Sequence, residues 1–226
     1  MAIKPILFNT EMVKAILDGR KTQTRRIIKL TPGFSGRPVG ESGNPDNPLG
    51  FMYPCGIKRP PCNKDDILWV RETWQPVKGI MHTYIHGEEV ESGDWHNGFE
   101  YRAGGYHFPD GFEENYDDFH LPEIRNEGKW HPSIHMPKEA ARIFLKVKDV
   151  RIERLHDMDE EAAIAEGFED SPSETVSPLE RFATLWDKTI KHEELKTYGY
   201  HANPWVWVIT FELCDNINYK TMIKLN

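Results

Sequence analysis

The sequence predicts an α+β fold: a small curved or closed β-sheet, short helices at its rim, and long irregular insertions. Three observations carry this. Strand-like apolar runs recur along the whole chain, from residues 3–8 to residues 205–213. Only two or three short amphipathic helices interrupt them. One run changes phase partway. Ile143, Leu145 and Val147 share one parity and Val150 and Ile152 the other, which calls for a bulge near Lys148 or Asp149 of the kind barrel bends use.

Residues 3–8 read as an opening strand, with Pro5 suited to a sheet edge. Asn9 or Thr10 can cap the next helix, which places Met12, Val13, Ile16 and Leu17 on one face and ends at Gly19, a residue suited to the left-handed C′ position. Residues 22–29 return as a strand. Residues 31–66 hold many Gly, Pro, Asn and Ser residues and read as a long loop. A strand spans Ile67 to Trp74. Residues 76–135, rich in Gly, His, aromatic and acidic residues, read as an elaborated insertion with short hairpins. Residues 159–166 form a short acidic helix ending at Gly167. Residues 178–190 form another, with Leu179, Phe182, Leu185 and Trp186 on its apolar face. Asn203-Pro204 opens the last strand, whose residues Trp205, Trp207, Ile209, Phe211 and Leu213 face one side. The 226 residues are thus read as a single domain, 1–226, with insertions at about 31–66 and 76–135.

Composition bounds the function. A net charge of −8 argues against a bulk polyanion binder, so any contact with nucleic acid must rest on a local basic patch. The three cysteines are odd in number and irregular in spacing, which fits a reducing compartment better than a disulfide framework. No apolar run is long enough to span a bilayer, and no export signal opens the chain. The expected location is the cytoplasm, with no membrane partner.

The densest chemistry lies between Leu17 and Lys29, in the run Leu-Asp-Gly-Arg-Lys-Thr-Gln-Thr-Arg-Arg-Ile-Ile-Lys. A threonine hydroxyl becomes a nucleophile when a base removes its proton, and a lysine can be that base once its pKa falls. Arg20, Arg25 and Arg26 push Lys21 in that direction; the negative end of the preceding helix pushes against it. If residues 22–26 are extended, Thr22 and Thr24 share a face with Arg26. Threonines and arginines beside a helix end also occur as plain surface residues. Glu166 sits in the last turn of its helix, where an acid opposes the helix dipole. It stands out for that reason, although an acidic helix that also carries Asp157, Asp159, Glu160 and Glu161 could simply be solvated. Glu72 shares a face with Leu68 and Val70, so its carboxylate must find a partner, with Arg26 or Lys21 as candidates, or shift its pKa. Arg71 shares the other face with Trp69 and Thr73.

Other signals are weaker. Trp69, Trp74, Trp205 and Trp207 can stack on a base or pack in a core. Cys55 and Cys62, with His131 and His135, make a poor match to zinc-ligand spacing, so no metal and no other cofactor is expected. Nucleophile-elbow, phosphate-loop, dinucleotide-fingerprint and zinc-protease motifs are all missing from the sequence. His82, His86 and His96 have no evident partner and read as surface histidines.

Residues 15–26, Ala-Ile-Leu-Asp-Gly-Arg-Lys-Thr-Gln-Thr-Arg-Arg, resemble the opening signature of the ASCH-domain family. Residues 65–72 resemble that family's second strand, residues 155–168 its acidic helix and residues 205–211 its closing strand. Residues 130–137, Trp-His-Pro-Ser-Ile-His-Met-Pro, add a likeness to the long family members encoded by phages and prophages. The resemblance implies a PUA-like β-barrel with a cleft for RNA or modified nucleosides. One small bacterial branch hydrolyses N4-acetylcytidine to cytidine and acetate. Its Gly-x-Lys-Thr-x-Thr pattern falls on Gly19 to Thr24, and its glutamate falls on Glu166. By analogy Thr24 attacks the acyl carbon, Lys21 takes its proton, and Glu166 orients Lys21 or assists the leaving amine. That branch is about half this length and lacks the segments at 31–66 and 76–135.

The expectation is therefore an amidohydrolase, working without metal on an N-acylated pyrimidine nucleoside or related base. Lys21, Thr24 and Glu166 would be catalytic, and Arg20, Thr22, Arg26, Trp69, Arg71 and Glu72 would bind substrate. The alternative is a non-catalytic module for RNA or a modified base, gripping phosphate through its arginines, or a ribonuclease of phage or prophage origin.

Overall fold

The computed structural model describes residues 1–29, 60–85, 88–92, 94–109, 120–168 and 175–214. Most of the expected loop at 31–66, with Cys55, lies outside the described residues, as does His86.

Ten strands and four α-helices are described: β1 (Ile3–Leu7), α1 (Thr10–Leu17), β2 (Gln23–Ile27), β3 (Ile67–Arg71), β4 (Trp74–Ile85), β5 (Glu88–Ser92), β6 (His96–Tyr101), β7 (Tyr106–His107), β8 (His120–Asn126), β9 (Phe144–Arg154), α2 (Glu160–Ala165), α3 (Pro178–Thr189), α4 (Leu195–Tyr198) and β10 (Trp205–Leu213). They build two sheets, so the fold is mixed α+β. One sheet runs in the order β1-β3-β9-β10-β2; the other runs β5-β4-β6-β7, with β8 on β4. No described helix is long and apolar enough to cross a membrane.

The chain divides into two compact units, each woven from separated segments. The first holds residues 18–66 and 147–212; the second holds residues 2–17, 67–146 and 213–226.

In the first unit β2 pairs antiparallel with β10, which sets Thr24 opposite Ile209 and Arg26 opposite Trp207. β10 is buried on both faces in its middle, from Val206 to Ile209. Val206 and Val208, on the other face of the strand from Trp207 and Ile209, join Leu155, Met158, Ala163, Phe182 and Trp186 in one apolar cluster. Helices cover the face that alternation alone would assign to solvent. α2 starts on Asp159, whose side chain accepts from Ala162 N at 2.8 Å. α3 starts on a reciprocal cap between Ser177 and Glu180, with Pro178 at its first position.

In the second unit β1 lies parallel to β3, from Ile3 opposite Ile67 to Leu7 opposite Arg71, and sits at a sheet edge as Pro5 requires. Asn9 caps α1, its Oδ1 accepting from Met12 N at 2.9 Å. The buried stripe of α1 is Val13, Ala15 and Ile16, while Leu17 is 45% exposed. The stripe expected from sequence is thus turned away from Leu17. On a two-turn helix, packing decides which sector is covered, and the largest apolar side chain does not. The strand expected over 67–74 breaks at Glu72 and Thr73, and Trp74 opens β4. The segment 76–135 is more regular than expected. β4 is 12 residues long and pairs with β5, β6 and β8. Val77 and Phe108 are buried together against Ile124. Gly98 is needed here, because a Cβ at that position would stand 2.4 Å from the Phe108 ring.

β9 supplies residues to both units and carries the expected change of phase. Lys148 and Asp149 are both exposed, between buried Val147 and buried Val150.

Candidate active site

The site is assembled in the first unit from the loop before β2 and the end of α2. Gly19 and Gly167 hold the two turns, at φ +74° and +101°, where a side chain would be strained. Three consecutive residues then grip the carbonyls that end α2. Arg20 Nη1 donates to Gly167 O at 3.0 Å, Lys21 Nζ to Glu166 O at 2.7 Å and Thr22 N to Ala165 O at 2.8 Å. A helix leaves its last carbonyls without intrahelical partners, and cations are favoured there. The basic loop satisfies both demands.

Lys21, Thr24, Arg25 and Glu166 are 2–4% exposed, so this is a buried charged cluster. Lys21 Nζ donates to Glu166 Oε2 at 2.5 Å and to Gln23 O at 2.8 Å, besides Glu166 O. Arg25 Nη1 reaches Glu166 Oε1 at 3.3 Å, and its Nη2 lies 3.5 Å from Glu153 Oε2. Glu166 therefore answers two cations, one with each oxygen, which explains an acid placed against the helix dipole. Arg26 Nη1 donates to Thr24 Oγ1 at 2.7 Å and to Arg25 O at 2.9 Å. The Thr24 oxygen thus accepts a charged donor, which leaves its own proton available to a base.

Burial is the main force on Lys21 and pulls its ammonium below the ordinary value of 10.5. Glu166 opposes this through charge and hydrogen bond, while Arg26 and Arg25 add to the lowering. The arginines expected to depress Lys21 therefore do so, but second to burial, and Arg20 is not among the causes. Burial lowers the Arg26 guanidinium too; it remains a cation.

The structure brings together Lys21, Thr24, Arg26 and Glu166. Thr22 departs from expectation. It precedes β2, its side chain is exposed, and its backbone serves α2 and Phe211, whose N donates to Thr22 O at 2.9 Å. Extension begins only at Gln23, so the shared face of Thr22 and Thr24 is not formed. Arg20 is engaged by Gly167 and by Asp18, at 2.7 Å.

Trp69, Arg71 and Glu72 belong to the second unit. Glu72 finds neither Arg26 nor Lys21. Its two oxygens accept from Arg142 Nε and Nη2, each at 2.9 Å, in a bidentate pair. Burial raises the Glu72 carboxyl above its ordinary 4.5, against the pull of Arg142. Arg142 also lies 4.0 Å from the Tyr101 ring centre and donates to Gly104 O at 2.7 Å. Arg71 donates to Ile134 O and stands 5.5 Å from the Trp69 ring centre. Trp69 packs with Tyr101, Met136 and Phe144.

Of the other tryptophans, Trp207 is buried and Trp74 stacks on His131 at 4.8 Å. Trp205 is half-buried, with the Arg154 guanidinium 4.2 Å from its ring centre. Cys62 is a buried thiol. Among the described residues, no group of three or more His, Cys, Asp or Glu side chains is placed to hold a metal ion.

Arg142 and Glu153 escaped the sequence reading. Neither lies in a motif, and their partners are 70 and 128 positions away, at Glu72 and Arg25. The one available signal was Glu72 itself, an acid on an apolar strand face that had to be answered by some cation. Compared with known proteins, the chain matches no family model, no curated protein and no solved structure.

Proposed function

We propose that this chain is a PUA-like ASCH-domain protein and an amidohydrolase that removes an acyl group from the exocyclic amine of a pyrimidine nucleoside or related base. The observation that carries the reading is the buried Lys21–Glu166 pair, with Lys21 bonded to the carbonyl of Gln23, the residue before Thr24. A lysine with a lowered pKa, a neighbouring hydroxyl and a guanidinium on that hydroxyl's oxygen are the parts an acyl transfer needs.

In this mechanism the neutral Lys21 amine takes the Thr24 hydroxyl proton as Oγ1 bonds to the acyl carbon. Arg26, already on Oγ1, eases the loss of the hydroxyl proton by favouring negative charge on that oxygen before the bond forms. The tetrahedral adduct collapses, the C–N bond breaks, and the Lys21 ammonium returns its proton to the leaving amine. Water then attacks the threonyl ester with Lys21 again as base, releasing the carboxylic acid and restoring Thr24. Glu166 holds the Lys21 ammonium between these steps.

One observation favours a second reading, a non-catalytic module for RNA or a modified base. Lys21 Nζ has three acceptors within 2.8 Å, an arrangement that suits the ammonium form and a purely structural pin. The deciding experiment is turnover of N4-acetylcytidine by the purified chain, followed by chromatography, beside Thr24→Ala and Lys21→Met. Cytidine release that is lost in both variants, while circular dichroism shows them folded, supports the hydrolase. Release that persists in both removes it. RNA affinity that falls with salt, without turnover, favours the module, and shortened RNA favours a ribonuclease.

A further inference from the structure

A cavity of about 410 Å³ lies within the first unit, on the opposite face of β2 from Thr24 and Arg26. Gln23 and Arg25, two apart on the strand, present to it together. Glu153 lines it from β9, and the exposed acids Asp157, Asp159 and Glu161 line it from the start of α2 and the turn before. Neither Lys21 nor Thr24 lines it, so a ligand in this cavity is independent of the hydrolytic reading.

Two features point to a ligand. Arg25 is 3% exposed, yet its Nε and Nη2 make no hydrogen bond among the described residues, and Nη2 has only the ion pair with Glu153 Oε2 at 3.5 Å. Buried donors in folded proteins nearly always find an acceptor. These two nitrogens form one edge of the guanidinium, the edge a carboxylate meets with two parallel bonds. Gln23 Oε1 is also buried without a donor. The second feature is a gradient of charge. At the floor the lining residues Arg25 and Arg151 face the single acid Glu153, whereas the exposed lining residues are all acidic. Asp157 gives one oxygen to Arg154 N and Asp159 one to Ala162 N, so each has a second oxygen for a cation.

We infer that this cavity binds a basic α-amino acid, either free or as the last residue of a peptide. Its carboxylate lies on the Nε/Nη2 edge of Arg25, its α-nitrogen donates to Gln23 Oε1, and its side-chain cation rests among Asp157, Asp159 and Glu161. The volume lies within the range of small-molecule sites.

Isothermal titration calorimetry of the full chain at low salt tests this with four probes: L-lysine, cadaverine (which lacks the carboxylate), L-norleucine (which lacks the side-chain cation) and Nα-acetyl-L-lysine. L-lysine is expected to bind, with cadaverine and norleucine weaker by about tenfold or more. Acetyl-lysine binding as well as lysine assigns the peptide terminus; its loss assigns the free amino acid. Glu161→Gln, at an exposed position, weakens lysine by about two- to fivefold. Arg25→Lys keeps a cation beside Glu166 but loses the planar fork, and weakens it further. If Arg25→Lys does not fold, Glu161→Gln and the carboxylate-free probe still decide. No heat with lysine at millimolar concentration, equal binding of cadaverine and norleucine, or wild-type affinity in the variants overturns the proposal.

Discussion

Lys21 Nζ donates to both ends of Glu166, to Oε2 at 2.5 Å and to the backbone oxygen at 2.7 Å, across 145 positions of chain. One residue thus has its side chain and its carbonyl held by the same ammonium. That contact ties the entry to β2 to the end of α2 and makes the charged cluster a fixed part of the first unit.

Breaking that contact from one side leaves a buried charge unanswered. Glu166→Gln is expected to destabilise the protein by about 3–5 kcal/mol, read by chemical denaturation. Lys21→Met should also destabilise, but less, because Arg25 still faces Glu166. The double variant should cost clearly less than the sum of the singles. Strict additivity would show that the pair is not coupled.

The pH profile of any turnover should report Lys21. Its folded pKa lies below 10.5, so the active amine appears, and the rate rises, as pH climbs through that lowered value. Glu166 raises the Lys21 pKa, so Glu166→Gln should move the midpoint to lower pH. A midpoint that moves upward contradicts the arrangement. Stability has the same sign. The unfolded state binds more protons between the lowered pKa and 10.5, so the contribution of Lys21 to stability rises with pH across that window.

Glu72 should behave in the opposite sense. Burial lifts its folded pKa above 4.5, so its contribution is fully present below 4.5 and is lost as pH rises through the folded value. Relative to Glu72→Gln, the wild type should lose stability with rising pH over that window. Arg142→Ala should cost about 3–5 kcal/mol at neutral pH by stranding the carboxylate. The cost should shrink in acid, where Glu72 takes a proton. A loss that does not vary with pH would assign it to Arg142 packing on Tyr101 instead.

Gly98→Ala tests the packing of the second sheet. The added methyl would stand 2.4 Å from Phe108 Cδ1 and Cε1. Overpacking of this kind costs about 1–3 kcal/mol, and combining it with Phe108→Leu should cost less than the two changes summed. An unchanged melting temperature in Gly98→Ala would mean that the ring moves aside freely.

Local features were legible in the sequence wherever their physics is local. The Asn9 cap, the turn at Gly19 and the starts of α2 and α3 each depend on residues within one turn of each other. Lys21 and Glu166 stood out separately, one as a lysine among arginines and the other as an acid at the wrong end of a helix. Their contact was expected only through the family resemblance and not from the residues themselves, and the choice of Arg142 over Lys21 and Arg26 as the partner of Glu72 did not stand out. The two-sided burial of β10 was hidden too, because whether its second face meets water depends on the helices packed against it. The composition of residues 76–135 suggested irregular structure, yet the long strand β4 orders three others around itself. Alternation, caps and turns are properties of neighbouring residues, and the sequence determined them alone. Which charge answers which, and how deeply each is buried, depends on packing between distant segments, since burial and Coulomb energy depend on separation in space. Only the tertiary structure decided those.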